Sequence, residues 1–153
     1  MSLDLKKQLI TQLVESSRFL RNYIDHRAKG RGTTRAQWIV LFQLRDQEGL
    51  SQVDLADVLE LQPISLVRLL DRLVEHGLVE RRHDPRDRRA NRLFLTPNGR
   101  QLADDLDSLR DSIAIDVLQD IPAAAIETSV KTLRDIKDRI KALAEPSGNV
   151  AAK

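Results

Sequence analysis

The stretch Asp84–Gly99, DPRDRRANRLFLTPNG, decides how this chain is read. Arg86, Arg88, Arg89 and Arg92 crowd around Asp84 and Asp87, and the charged run passes at once into Leu93-Phe94-Leu95. A solvated loop would carry such charge for solubility alone, so the flanking segments have to decide. LVERR, from Leu78, and NRLFLT, from Asn91, each have the length and composition of a strand. Asp84-Pro85 is a turn signal, and the charged segment between the two runs reads as a long hairpin loop.

Working outward, SQVDLADVLELQPISLVRLLDRLVEHG (residues 51–77) precedes this hairpin. Ser51 followed three residues later by Asp54 is an acidic variant of the capping box. It opens a short helix with apolar positions at Val53, Leu55, Ala56, Val58 and Leu59. A turn around Leu61-Gln62 follows, and Pro63 suits the first turn of a second helix, where its missing N–H costs nothing. Leu66, Leu69, Leu70 and Leu73 give that helix an inner face; Gln62, Ser65, Arg68 and Arg72 give it a polar outer one, and Gly77 closes it. Two short helices joined by a tight turn outline a helix-turn-helix, and the hairpin behind them makes it a winged helix. In that setting the wing carboxylates gain a purpose. Asp87 is suited to hold a guanidinium in a fixed fork, and arginine suits phosphates and narrow minor grooves.

The remaining chain reads as helical. Leu5, Leu9, Leu13, Leu20 and Ile24 form one stripe on a helix expected to end near Lys29-Gly30. A second helix opens after Thr33 and Thr34, carries Trp38, Leu41, Phe42 and Leu44, and breaks at Glu48-Gly49. Leu102, Leu106, Leu109, Ile113 and Val117 mark one long helix; Ile126, Val130, Leu133, Ile136, Ile140 and Leu143 mark another beyond Pro122. Packing within one chain is one reading of these stripes; with only 3% aromatic residues and long terminal helices, they would be buried more completely against a second copy. At 153 residues, 41% hydrophobic and 31% charged, the chain is expected to be one globular domain. Its 25 Lys and Arg nearly balance 23 Asp and Glu, so affinity for a polyanion must come from charge placement. There is no Cys, which excludes disulfides, Cys-based zinc sites and thiol redox sensing. Neither a secretory signal nor an apolar run of about 18 residues is present, so the expectation is a cytoplasmic protein without a membrane partner.

LVERRHDPRDRRANRLFLTPNG, preceded by SLVRLLDRLVEHG, resembles the winged helix of the MarR family of bacterial transcriptional regulators. The shared wing pattern is Asp-x-Arg-Arg followed by Leu-Thr and a Gly three residues after the Thr. Through IDHRAKG, TRAQW and SLVR the resemblance is closest to the SlyA branch, and it runs from about residue 5 to 144. It implies a mainly α fold with a small β-hairpin wing: a winged helix-turn-helix over 33–97, a helical dimerisation region from 1–30 and 98–144, and a flexible tail, 145–153.

The function then expected is sequence-specific binding of a homodimer to pseudo-palindromic double-stranded DNA. The helix from about Pro63 enters the major groove with Gln62, Pro63, Ser65 and Arg68 near its leading end. Arg68 is the candidate for a bidentate guanine contact; Arg72, a turn farther in, is a further DNA-binding candidate, with a pair to Asp71 or Glu75 or a contact to the DNA backbone as its alternatives. Carried over from the family motif, Arg89 is the minor-groove arginine, Asp87 orients it, and Arg86 and Arg88 contact phosphates. A small phenolic or aromatic carboxylate effector is expected between the dimerisation region and the winged helix, as the resemblance implies. Arg18 and Arg21 would supply its cationic wall, Trp38 and Phe42 its aromatic one. The alternatives are core packing for the two aromatics, dimer ion pairs for the two arginines, and a constitutive regulator without effector. A winged helix contacting RNA or protein is a further alternative. His26, His76 and His83 sit on separate segments and neither a phosphate loop nor HExxH occurs, so neither an enzyme, a metal sensor nor a cofactor is expected.

Overall fold

Capping side chains set where the helices begin. In the computed structural model, which describes residues 2–145 and their side chains apart from those of Arg88 and Arg89, the Ser2 hydroxyl accepts the Asp4 N–H and starts α1, Leu3–Arg27. Thr34 and Gln37 exchange side-chain and backbone bonds in a full capping box, which opens α2, Arg35–Asp46. Ser51 accepts the Asp54 N–H and opens α3, Gln52–Leu59. Pro63 stands at the first position of α4, Pro63–Glu75. Strands β1, Val79–Asp84, and β2, Asp87–Leu95, lead to α5, Pro97–Val117, and α6, Ala123–Ala144. The expected tail beyond Glu145 lies outside the described residues. The chain divides into two compact units, one through Ile113 and one from Ala114.

The first unit is the winged helix with α1 and most of α5. Its largest fully buried side chains are contributed by α2 (Val40, Leu41, Leu44), α3 (Leu55), α4 (Leu66, Leu70, Leu73), β1 (Val79), β2 (Leu93) and α5 (Leu106). Tyr23, Ile24 and Ala28 join this core from the end of α1. The Arg27 guanidinium donates to the Tyr23 hydroxyl and to Ser112 Oγ, at 2.8 Å each, so it ties α1 to α5. Glu60 ends α3 in the left-handed region (φ 54), and the Leu61 N–H returns to the Ala56 carbonyl at 3.0 Å. This is a Schellman-type stop, and it lets the chain reverse before Pro63.

The wing departs from expectation. Rather than a long loop, both strands run on to a two-residue turn, Pro85-Arg86, with Asp84 opposite Asp87. Pro85 presets its φ, and Asp84 Oδ1 accepts the Arg86 N–H at 2.9 Å, so the turn closes on its own side chain. Between the rungs His83–Asn91 and Asp84–Asp87, β1 advances one residue and β2 advances four. That bulge carries Arg88 and Arg89. At the other end, Gly49, Leu50 and Ser51 lie along β2 as a third short edge: Gly49 N–H bonds to the Leu93 carbonyl, and Leu93 N–H to the Leu50 carbonyl, both at 2.9 Å.

In the second unit α5 ends, Asp120 turns the chain with φ 64, and Pro122 precedes α6. Ile121 N–H bonds to the Leu118 carbonyl and Ile126 N–H to the Pro122 carbonyl, each at 3.1 Å. Neither α1 nor α6 has a buried residue, although both are amphipathic. No helix among the described residues is long and apolar enough to cross a membrane.

Candidate nucleic-acid interface

The surface offered by α4 follows from its helical period. Leu66, Leu70 and Leu73 recur at four and three residues and point into the core, which turns Ile64, Arg68, Asp71 and Glu75, at the same spacings, directly outward. Gln62, Pro63, Ser65 and Arg72 are also exposed. The five residues expected to meet DNA from this helix are therefore all exposed. Asp71 does not pair with Arg72: its carboxylate is taken by Arg81 of β1 at 2.6 Å. Arg81 Nε also donates to Gln52 of α3 at 3.0 Å, so one guanidinium joins wing, α3 and α4. Among the described residues Arg68 and Arg72 form no ion pair. Ile64, 66% exposed beside Arg68, was not singled out from sequence. Its phase opposite Leu66, Leu70 and Leu73 was the available signal.

On the wing, Arg82 and Arg92 stand directly opposite each other across the sheet. Like charges so placed repel. Each has its own counterpart: Arg82 pairs with Glu80 and stacks over Phe94 at 4.1 Å from the ring centre, while Arg92 Nε donates to Asp84 Oδ2 at 3.2 Å. Asp84 is thereby held below its ordinary carboxylate pKa, chiefly by the Arg86 N–H and further by Arg92. Arg86 is exposed at the turn and Asp87 pairs with Asp84 across it. The side chains of Arg88 and Arg89 lie outside the described residues. Asp84 as organiser of the turn with Arg92 as its brace, and Arg81 as the tie from β1 to α3 and α4, are roles missed from sequence, where Asp87 drew that attention. The cross-strand partners depend on the bulge, which the residue order does not advertise.

The four expected effector residues separate into different places. Arg18 and Arg21 line an open groove with Arg35, over Leu13 and Val14. Trp38 is buried, gives its indole N–H to Thr33, and borders a neighbouring groove that shares Arg35. Phe42 lines neither; its ring lies 4.5 Å from the Arg110 guanidinium and 5.5 Å from that of Arg45. Arg35 itself pairs with Asp25 at 2.6 Å.

Residues 33–90, from the entry to α2 through the wing bulge, match the model of the MarR family. Over that segment the chain is similar to MarR-family regulators. It is similar to a MarR-family transcriptional regulator from Rhodococcus sp. RHA1, with 28% identity over 88% of this chain and 96% of that one and a TM-score of 0.76. It is similar to Bordetella bronchiseptica BpsR, whose DNA binding is regulated by 6-hydroxynicotinic acid, with 26% identity over 85% and 98% and a TM-score of 0.75. A mutant MarR from E. coli complexed with operator DNA matches at 26% identity over 88% and 94%, with a TM-score of 0.70. In the present chain, the Leu-Thr-x-x-Gly pattern has a local cause. Thr96 Oγ1 accepts the Gly99 N–H at 3.0 Å, which caps α5, and it donates back to the Gly77 carbonyl.

Proposed function

We propose that this protein is a homodimeric, sequence-specific double-stranded DNA-binding transcriptional regulator of the cytoplasm, without catalytic activity, and that it falls in the SlyA branch. The branch rests on the motif resemblance alone. The observation that carries the function is the joint surface of α4 and the wing: Arg68 and Arg72, without an ion pair among the described residues, stand exposed on α4, and Arg81 ties that helix to β1 of the arginine-rich wing. Geometry of this kind suits a helix in the major groove and a wing beside it. The roles carried over for Arg86, Asp87, Arg88 and Arg89 belong to this proposal, as do base contacts by Gln62, Pro63, Ser65 and Arg68.

The roles separate in mutants. Arg68→Ala should cost ~1–3 kcal/mol on the operator and flatten base preference, whereas Arg86→Ala should weaken all duplexes alike and reduce the slope of log affinity against log salt by about one. Gel-shift titrations at several salt concentrations measure both. Equal losses on operator and random DNA for Arg68→Ala would remove its base-reading role.

The homodimer is supported by stripes left uncovered on α1 and α6: Leu5 is 54% exposed, and Ile140 58%. Two-fold symmetry would then present two α4 helices to half-sites about one helical turn apart. A small anionic effector belongs to the same proposal. The groove of Arg18, Arg21 and Arg35 supplies cations over an apolar floor, with Trp38 next to it; Phe42 would act only by repacking between its two arginines. An effector acts through differential affinity, so effector and operator should weaken each other by equal factors. Calorimetric titration of salicylate and of 6-hydroxynicotinate into free and operator-bound protein tests this. Unchanged affinity in an Arg18→Ala/Arg21→Ala double mutant would exclude the groove.

A further inference from the structure

Ile64, the second residue of α4, lies on its outward face one turn before Arg68, with two thirds of its surface exposed. Core packing does not explain it, because the helix has already turned Leu66, Leu70 and Leu73 to the opposite side. We propose that Ile64 is a specificity residue that reads thymine, its side chain packing against a C5-methyl group in the major groove. The inference rests on the DNA-reading function proposed above and adds to it one base and one contact.

The chemistry leaves a narrow choice of occupant. Along the major-groove edge the distinguishing groups of the bases are hydrogen-bond donors and acceptors, apart from the thymine methyl. Isoleucine can answer none of the polar groups, and covering one would leave it desolvated and unpaired. The methyl group is the complement that costs nothing to cover. A β-branched side chain in a helix is also nearly confined to one rotamer, so Ile64 loses little freedom on contact. Ile64 and Arg68 are four residues apart, about 6 Å along the helix axis. With about 3.4 Å per base step, the thymine belongs within about three base pairs of the guanine met by Arg68.

The test uses full-length protein and duplex sites selected from a random pool. Each thymine of a half-site is replaced in turn by deoxyuridine, which removes the methyl and keeps every hydrogen-bonding group. At one position per half-site the wild type should lose about fourfold in affinity, the worth of one buried methyl. Ile64→Ala should bind the thymine site more weakly and be indifferent to deoxyuridine there, while Ile64→Val keeps part of the discrimination. Thermal melting of Ile64→Ala should match the wild type, since the side chain supports no core. Three results overturn the proposal: no deoxyuridine penalty at any position, the same penalty in Ile64→Ala as in the wild type, or selected half-sites without a thymine in that window. A wild-type protein that selects and binds no duplex overturns the DNA-reading function itself, which is a separate and visible failure.

Discussion

At the scale of single residues, the wing is an exercise in keeping arginines apart and aimed. Arg82 and Arg92 face each other across two strands, and neither would hold position without a neighbour of its own. Asp84 does most of this work, because one carboxylate closes the turn through the Arg86 N–H and draws Arg92 away from Arg82. Both bonds favour the ionised acid, so the folded pKa lies below the ordinary 3.8 despite the opposing effect of burial. A lowered folded pKa means that the stabilisation is complete above the unfolded value and is lost as pH falls through the folded one. Following the Asp84 carboxyl carbon by NMR should give a midpoint below 3.8, with the Arg86 amide shifting over the same range. A midpoint at or above 3.8 would show that the turn is not closed by this carboxylate.

Elements join where backbone comes close to backbone, and the start of α5 is one such place. A Cβ built on Gly99 would lie 1.9 Å from the Leu78 carbonyl oxygen, which also accepts the Thr96 N–H at 3.1 Å. Leu78 links α4 to β1, so the approach of α5 to this carbonyl anchors wing, α4 and α5 together. No rotamer change relieves a clash with backbone. Gly99→Ala should therefore destabilise the protein by roughly 1–3 kcal/mol, the usual cost of overpacking. Urea unfolding measures it, and a change under about 0.5 kcal/mol, the size of a neutral surface substitution, would contradict the close approach. The same geometry explains why the Leu-Thr-x-x-Gly pattern is legible in a linear sequence: threonine caps, and glycine three residues later makes room. The bulge in β2 was not legible, since a charged stretch around Pro85 fits a long loop as well as it fits two strands with three residues looped out of register.

For the whole molecule, the uncovered stripes on α1 and α6 are the feature that one chain leaves incomplete. Apolar side chains at helical spacing with 40–70% exposure, such as Leu133 and Leu143, gain free energy only if something covers them. The expectation is a second copy. Wild-type protein at tens of micromolar should sediment at twice the 17.4 kDa chain mass, and Ile140→Glu should shift it toward the single mass while weakening operator binding. Wild-type sedimentation at the single mass would remove the homodimer. Unfolding midpoints that rise with protein concentration would be the matching thermal signature.

Residue order alone determined the helices, their inner faces and the helix-turn-helix with its hairpin, because those depend on periods of 3.6 and 2 and on capping residues adjacent in the chain. Thr34, Ser51 and Pro63 begin their helices where local chemistry says they must. The outward set on α4 was legible for the same reason, apart from Ile64, whose apolar character masks its phase. What only the tertiary structure decided are partnerships between segments far apart in sequence. Arg81 takes Asp71 and Gln52, Arg92 takes Asp84, Trp38 gives its indole N–H to Thr33, and Phe42 stacks between Arg45 and Arg110. Such choices depend on which side chains the packed core brings within about 3 Å, the reach of a hydrogen bond, and a sequence pattern carries no distance of that kind.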